Sequence, residues 1–191
     1  VSLKKIKSFA LISVYDKSNL KFLCSLLKKN GIGIISTGST SKKIKSLGYN
    51  CFEISKLTKF EEVLDGRVKT LHPNIYISIL HKRDNNKQKQ TFNKIKFPKI
   101  DYVIVNLYPF SKYMNSKSRD PIEMIDIGGP TLLRASAKNY DNITTISSPK
   151  DYKLLETNIR NNSGCTDLNF RKKMAEQTFK LTYEYDREIH N

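Results

Sequence analysis

The segment of residues 65–73 gathers side chains that could bind an anion and move protons. It carries two cations, Arg67 and Lys69, followed by a hydroxyl and an imidazole, while Gly66 and Pro73 mark a turn and a helix stop. A guanidinium presents a fixed fork of donors, whereas an ammonium is a mobile point charge. A solvated charge pair would normally not be flanked by a turn glycine and a proline. The segment therefore predicts a rigid loop that binds an anion or a carbonyl group.

A second segment, from Ile125 to Pro130, prepares the start of a helix. Its two glycines leave backbone N–H groups accessible to a ligand, and a proline suits the first helical turn. Asp126 and Lys138 are a carboxylate and an amine that the fold could bring to one substrate, and Arg134 shares a helical face with Lys138. From spacing alone, Lys138 could equally be a favourable cation near the helix C-terminus.

The run from Thr37 to Thr40 contains one glycine and three hydroxyls and opens another predicted helix. Free N–H groups and the helix dipole favour a phosphate at such a start. An ordinary N-cap in a turn would have the same composition. The run is neither a Walker A loop nor a dinucleotide-binding fingerprint, because the required Gly and Lys spacing is absent.

Five short apolar runs predict the strands that position these segments. They are residues 8–14, 32–36, 51–54, 101–106 and 142–146. A helix capped by Asp16 and ending at Asn30, a short helix ending near Gly48, and about forty helical residues at the C-terminal end are also expected. Two polar stretches, 82–94 and 111–120, are predicted surface excursions. Strands separated by helices predict an α/β fold with a mostly parallel sheet covered on both faces.

The candidate segments all follow predicted strands. In an open α/β sheet, ligands bind beyond the carboxyl ends of the strands. Val14 to Lys17 follow the first strand, Thr37 to Thr40 the second, and Asn106 to Pro109 the central one. We therefore expect these segments to converge on one site.

The chain of 191 residues carries a formal net charge of +16, which first suggests a nucleic-acid partner. The cations are spread along the chain and are mostly lysine, 27 Lys against 7 Arg, whereas base readout favours arginine. We therefore predict no specific nucleic-acid binding and only a weak, salt-sensitive attraction to polyanions. No run of about 18 apolar residues is present, so no membrane partner is predicted either.

Neither the cysteines nor the histidines have the spacing of a metal site. The cysteines are odd in number and lack a CxxC pair, which predicts buried, reduced thiols in a cytoplasmic protein. The residues concerned are Cys24, Cys51, Cys165, His72, His81 and His190. No metal site is therefore predicted.

Three motifs, Gly66 to Pro73, Asn106 to Phe110 and Ile125 to Gly129, together resemble the inosine monophosphate cyclohydrolase domain of the methylglyoxal-synthase-like superfamily. The resemblance runs from Phe9 to Asp186. It implies a three-layer α/β/α sandwich and one cyclohydrolase domain over residues 1–191, while nothing here resembles the formyltransferase domain that follows in the family. It also implies that 5-formamidoimidazole-4-carboxamide ribonucleotide loses water to give inosine monophosphate, without cofactor or metal.

The resemblance further implies which residues act. The implied substrate-binding residues are Tyr15, Asp16, Lys17, Thr37, Gly38, Ser39, Thr40, Arg67, Val68, Lys69, Thr70, Val105, Asn106, Asp126, Ile127 and Gly128. Lys138 matches the proton-transfer lysine of the family, and Lys69, Tyr108 and Asp126 match its catalytic companions. We hypothesise that Asp126 accepts the carboxamide proton, Lys138 serves the formyl oxygen and Lys69 stabilises the developing oxyanion.

Two positions depart from the family pattern. Tyr15 stands where the family often has Ser, and Ser39 stands where a second Gly is usual. A positive φ at Ser39 would carry a strain cost, because only glycine adopts that conformation freely.

The expected partners are a purine ribonucleotide substrate and a second copy of the chain in a cytoplasmic homodimer. Three alternatives stay open. A non-catalytic nucleotide-binding regulatory module of the same superfamily would bind without turnover. A methylglyoxal synthase, a lyase acting on a triose phosphate, would have no reason to keep the run from Asn106 to Phe110. A basic nucleic-acid binder would hold a duplex tightly at physiological salt.

Overall fold

The computed structural model describes residues 6–110 and 120–190, and in these ranges five strands form one sheet. The strands are β1 (Phe9–Val14), β2 (Gly33–Ser36), β3 (Phe52–Glu53), β4 (Ile100–Asn106) and β5 (Thr144–Ile146). Their order is β3-β2-β1-β4-β5, and every neighbouring pair is parallel. All five predicted strands are confirmed. The chain order reverses at β1, which has β2 on one side and β4 on the other.

Eight α-helices of the described ranges flank the sheet. They are α1 (Leu20–Lys29), α2 (Gly38–Ser46), α3 (Ile54–Thr58), α4 (Pro73–Leu80), α5 (Asn86–Ile95), α6 (Gly128–Lys138), α7 (Tyr152–Asn161) and α8 (Leu168–His190). The predicted excursion 82–94 contains α5, a surface helix in which no residue is buried. Most of the other predicted excursion, 111–120, lies outside the described residues.

The side chains of β1 alternate between the two faces of the sheet. Ala10 and Ile12 pack into one core with α1, α2 and α7, whereas Phe9 and Leu11 pack into the other with α3, α4 and α6. All four side chains are 2% exposed or less. Helices on both faces explain why the strands are continuous apolar runs. The predicted three-layer α/β/α sandwich is therefore confirmed.

Two predicted helix boundaries are wrong. Asp16 does not cap α1, because its carboxylate accepts the N–H of Ser18 at 2.8 Å and α1 begins only after Asn19, whose φ is 56°. His72 and Pro73 start α4 instead of stopping a helix, and the Nδ1 atom of His72 accepts a backbone N–H of the first turn at 3.2 Å. Proline suits this position because it has no N–H to leave unsatisfied.

The longest helix, α8, packs along α6 and β5. It spans roughly 34 Å, at about 1.5 Å per residue. Near its C-terminal end, Tyr185 packs with Phe110 and Met124 in a small third core. The helix thereby supports the segment that leads into α6. No helix within the described ranges combines the length and the apolar character that crossing a membrane requires.

Candidate active site

A cavity of about 460 Å³ lies at the carboxyl ends of β1, β2 and β4. Its lining residues are Ser13, Val14, Tyr15, Thr37, Gly38, Ser39, Thr40, Gly66, Arg67, Lys69, Thr70, Asn106, Tyr108 and residues 122–129. Open α/β sheets bind ligands at this edge, where the strand order reverses. Small-molecule pockets commonly have volumes of about 300–1,000 Å³. The structure thus brings the predicted segments together around a space of suitable size.

The start of α2 forms one end of the cavity. The hydroxyl of Thr40 donates to the carbonyl of Val14 at 3.0 Å and so ties α2 to the end of β1. Gly38, with a φ of 43°, turns the chain into the helix. The first N–H groups of a helix have no intrahelical partner and favour an anion. Ser39 does not have a positive φ, so the strain considered above does not arise.

Asn106, at the end of β4, holds the turn after β1. Its side chain accepts the N–H of Asp16 at 2.8 Å and donates to the carbonyl of the same residue at 2.9 Å. The ammonium of Lys17 donates to the carbonyls of Val14 and Tyr15 at 3.3 and 3.4 Å. Asn106 lines the cavity, whereas Asp16 and Lys17 do not. These two predicted contact residues therefore shape the turn that presents Tyr15.

Two tyrosines form part of the cavity wall. The ring centroids of Tyr15 and Tyr108 are 4.8 Å apart, with 50° between the ring planes. Both side chains are more than one third exposed. A tilted aromatic pair of this kind offers an apolar surface to a heterocycle. Tyr15 therefore contributes its ring to this wall.

Asp126 is a partly buried carboxylate at the start of α6. Its Oδ1 atom accepts the N–H of Gly129 at 2.8 Å, so this amide serves Asp126. Burial raises the pKa of Asp126 above its ordinary value, while the N–H of Gly129 and the charge of Lys69 oppose that rise. A carboxylate with a raised pKa in a cleft is a candidate general base.

Gly128 allows the loop before α4 to approach α6 closely. A Cβ atom at Gly128 would lie 2.9 Å from the hydroxyl oxygen of Thr70, which is buried. A Cβ atom at Gly129 would lie 2.7 Å from a methyl carbon of Leu107. The glycines are therefore needed for close packing. The predicted free N–H group of Gly129 is instead bonded to Asp126. This packing brings Lys69, the neighbour of Thr70, into electrostatic range of Asp126.

Arg67 is paired with a carboxylate that was not predicted from the sequence. Its guanidinium forms an ion pair with Glu123, in which Nε donates to Oε2 at 3.3 Å and Nη2 contacts Oε1. Glu123 lies in the 3-10 turn Pro121–Met124, immediately before Asp126 and α6. The two side chains are 64% and 51% exposed, so the pair joins two walls of the cavity in contact with solvent.

Three other predicted residues do not line the cavity. Val105 is buried in the core shared with α4 and α6, and Val68 pairs with Val63 in a short antiparallel bridge. Lys138 is exposed at the last position of α6. It lies ten residues after Gly128, which is roughly 15 Å along a helix. The structure does not bring Lys138 to this cavity, because α6 is a rigid element that starts there and runs away from it.

Four lining residues lie outside every candidate site segment singled out from the sequence, namely Ser13, Ile122, Glu123 and Met124. Val14, Gly66, Ile125 and Gly129 lie within those segments but were not among the predicted contact residues. The Asp-Pro pair at 120–121 is a turn signal that could have indicated the segment around Glu123. No group of three or more His, Cys, Asp or Glu side chains is placed to hold a metal ion in residues 6–110 and 120–190. Cys24 is buried as predicted and Cys51 is partly buried, but Cys165 is exposed, so the prediction of a buried thiol is wrong there.

Two family models match parts of this chain. Residues 19–131 match the model described as the MGS-like domain. The chain belongs to the MGS-like domain family. Residues 136–191, the part of the chain from the end of α6 onward, match a second model, described as the AICARFT/IMPCHase bienzyme.

The relatives of this MGS-like chain are longer proteins. It is 48% identical over 182 residues to the bifunctional purine biosynthesis protein PurH of Fusobacterium nucleatum, an alignment that covers 94% of this chain and 36% of the relative. It is 43% identical over 188 residues to PurH of Clostridium perfringens, covering 97% and 37%. The chain therefore spans little more than a third of these curated relatives. The crystal structure of ForH has a TM-score of 0.84 and 28% identity, over 96% of this chain and 97% of that one.

Proposed function

We propose that this chain closes the ring of 5-formamidoimidazole-4-carboxamide ribonucleotide, releasing water and forming inosine monophosphate. One observation carries the proposal: a partly buried carboxylate, a lysine and the starts of two helices line the same cavity. The similarity to PurH proteins over 94% of the chain supports the same reaction.

In this proposal the two helix starts bind opposite ends of the nucleotide. The phosphate binds the N–H groups at the start of α2 and the hydroxyl of Ser39, since a helix N-terminus favours an anion. The imidazole lies against Tyr15 and Tyr108, and its two reacting substituents face Asp126 and Lys69. Because both substituents hang from one ring, binding mainly has to select the reactive rotamer. Orientation of this kind supplies up to ~7–11 kcal/mol in well-aligned reactions, part of which the shared ring already provides.

The proposed chemistry balances as a loss of one water. The carboxamide nitrogen attacks the formyl carbon and gives one proton to Asp126, and a C–N bond forms. Lys69 stabilises the oxyanion on the former formyl oxygen. The C–O bond then breaks and a C=N bond to the formamido nitrogen forms. The oxygen leaves as water with two protons, the one given up by the carboxamide nitrogen to Asp126 and the one given up by the formamido nitrogen. A positioned general base contributes about 10²–10⁴-fold to such a step.

The direct test mixes purified protein with the formamido nucleotide in metal-free buffer and follows inosine monophosphate by chromatography. Binding of inosine monophosphate is measured in parallel by calorimetry. Product formed at a rate proportional to the protein concentration supports the proposal. Binding without turnover contradicts it and supports the regulatory module instead.

The proposed role of Lys138 rests on the resemblance, because its side chain does not line the cavity. If it transfers the proton to the formyl oxygen, Lys138→Ala abolishes cyclisation with little loss of nucleotide binding. Lys94→Ala is the matched control, since Lys94 is also an exposed cation in the last turn of a helix. If Lys138→Ala cyclises the substrate at the rate of the control, Lys138 does not transfer the proton. Its remaining role is then the favourable interaction of a cation with the helix dipole, worth about 0.3–1 kcal/mol.

We further propose that the chain forms a homodimer and works in the cytoplasm, as the resemblance implies. Sedimentation at the protein concentration of the activity assay tests the first point. A monomeric mass for an active sample contradicts the dimer.

A further inference from the structure

The hydroxyl of Tyr185 bonds to the backbone on both sides of Ile125. It accepts the N–H of Asp126 at 2.7 Å and donates to the carbonyl of Met124 at 3.4 Å. Tyr185 lies on α8, 59 residues after Asp126 in the chain, and it is 5% exposed. A buried tyrosine from a distant helix therefore fixes the backbone at the entrance to α6.

These bonds complete the anchoring of Asp126. Its main chain is held by the hydroxyl of Tyr185, and its carboxylate is held by the N–H of Gly129. A residue fixed at both points keeps its orientation before any ligand arrives, which is the preorganisation that catalysis uses. Tyr185 is not among the residues that line the cavity, so its hydroxyl acts on Asp126 and not on a ligand.

We propose that Tyr185 is a positioning residue that aligns Asp126 for proton transfer in the cyclisation. The inference rests on the proposed function of Asp126 as the general base. A phenylalanine at this position keeps the apolar ring but leaves the N–H of Asp126 without its acceptor. The carboxylate then moves relative to Lys69 and to the reacting nitrogen. A misplacement of about 1 Å can cost roughly 100-fold in rate.

Groups from three elements face Asp126. Lys69 approaches from the loop before α4, Gly128 and Gly129 direct N–H groups from α6, and Tyr185 approaches from α8. The N–H groups and Lys69 lower the pKa of Asp126, against a larger rise caused by burial. Loss of alignment with those groups therefore raises the pKa of Asp126 further. The other acidic groups near Tyr185 are Asp186 and Glu188.

The test compares Tyr185→Phe with Tyr183→Phe, which removes the hydroxyl of a 62% exposed tyrosine on the same helix. For Tyr185→Phe we expect kcat to fall roughly 10- to 100-fold, with KM nearly unchanged. We also expect the acidic limb of kcat to move to higher pH. Tyr183→Phe should change neither quantity. A merely structural role would lower the melting temperature without moving the pH profile.

A second measurement follows the ionisation of Asp126 directly and does not require turnover. The carboxyl carbon of Asp126 is titrated by NMR in both variants, with Asp126→Asn to identify its signal. A higher pKa in Tyr185→Phe than in Tyr183→Phe supports the inference, and equal pKa values overturn it. If wild-type protein binds inosine monophosphate without forming it, the proposed function fails, but this titration still decides whether Tyr185 positions Asp126.

Hydrogen exchange covers the case in which Tyr185→Phe does not fold. The backbone amide of Asp126 in the wild-type protein should then be protected, because it donates to a buried hydroxyl. Rapid exchange of this amide would overturn the inference.

Discussion

Two carboxylates reach the cavity from one short segment, and their surroundings give them different tasks. Asp126 is partly buried, accepts the N–H of Gly129 and has a raised pKa. Glu123, three positions earlier, is half exposed and forms an ion pair with Arg67. Burial penalises a charged carboxylate, whereas an exposed pair remains solvated. Asp126 is therefore suited to exchange a proton, and Glu123 is suited to hold a cation in an ion pair.

The raised pKa of Asp126 predicts an acidic limit to the reaction. The base must be ionised, so kcat/KM, which reports the free enzyme, should decline as the pH falls through a value above the ordinary 3.8. The same shift affects folding in the opposite sense: its stabilising contribution is present below the ordinary pKa and is lost as the pH rises through the raised one. The measurement is kcat/KM against pH. A limb centred at or below 3.8 would contradict the assignment of Asp126 as the base.

Glu123→Gln should strengthen substrate binding. The carboxylate of Glu123 is bonded to the guanidinium of Arg67. A substrate oxygen that binds Arg67 must therefore displace Glu123. An exposed ion pair is worth about 0.2–1 kcal/mol, so KM should fall by up to about fivefold, with kcat nearly constant. In an Arg67→Met background the same substitution should have no further effect. An increase in KM for Glu123→Gln would show that the pair supports binding instead of competing with it.

At the scale of the elements, two helix starts meet because both follow parallel strands that end at the same edge of the sheet. The apolar runs made β1 to β5 predictable, and the strand ends indicated where the polar segments would converge. Local ambiguity explains the errors. The pair His72 and Pro73 can stop one helix or start another, because proline is excluded inside a helix but suits its first turn. The carboxylate of Asp16 accepts the N–H of Ser18 in the turn before α1, and no local pattern distinguishes that bond from a helix cap.

Asn106→Ala should loosen the contact between β4 and the turn after β1. The substitution removes two hydrogen bonds to Asp16, each worth about 0.5–1.5 kcal/mol net, so the free energy of unfolding should fall by roughly 1–3 kcal/mol. Nucleotide affinity should fall as well, because the turn presents Tyr15. Urea unfolding and calorimetry measure the two effects. Asn86→Ala, at an exposed position on α5, is the control, and equal stability of the two variants would contradict the role of Asn106.

At the scale of the whole molecule, long-range pairs limit what the sequence can predict. Arg67 and Glu123 are 56 positions apart, and Asp126 and Tyr185 are 59 apart. No local spacing relates such partners, since only the packing of α8 along α6 brings the second pair together. The distance of Lys138 from the cavity is likewise a property of the direction of α6. Motifs therefore indicated the chemical groups, and tertiary packing determined which of them meet.

Part of the positive charge serves the fold itself. Arg171 donates to the backbone carbonyls of Tyr140 and Asp141 at 2.8 and 3.0 Å. Arg83 pairs with Asp101 at 2.5 Å, and their side chains are 26% and 13% exposed. These cations lie near the amino ends of the strands, where helix C-termini present unpaired carbonyls that favour positive charge. The formal charge of +16 already includes Asp101, so these contacts explain the placement of two cations and leave the net charge unchanged.

The aromatic wall of the cavity has an optical consequence. The chain contains no tryptophan, so its ultraviolet emission comes from its ten tyrosines. Two of them, Tyr15 and Tyr108, are in contact at the cavity and partly exposed. A purine base stacked against this pair would change its emission. The molecule thus carries an intrinsic fluorescent reporter of ligand arrival, and the kinetics of binding can be followed on unlabelled protein.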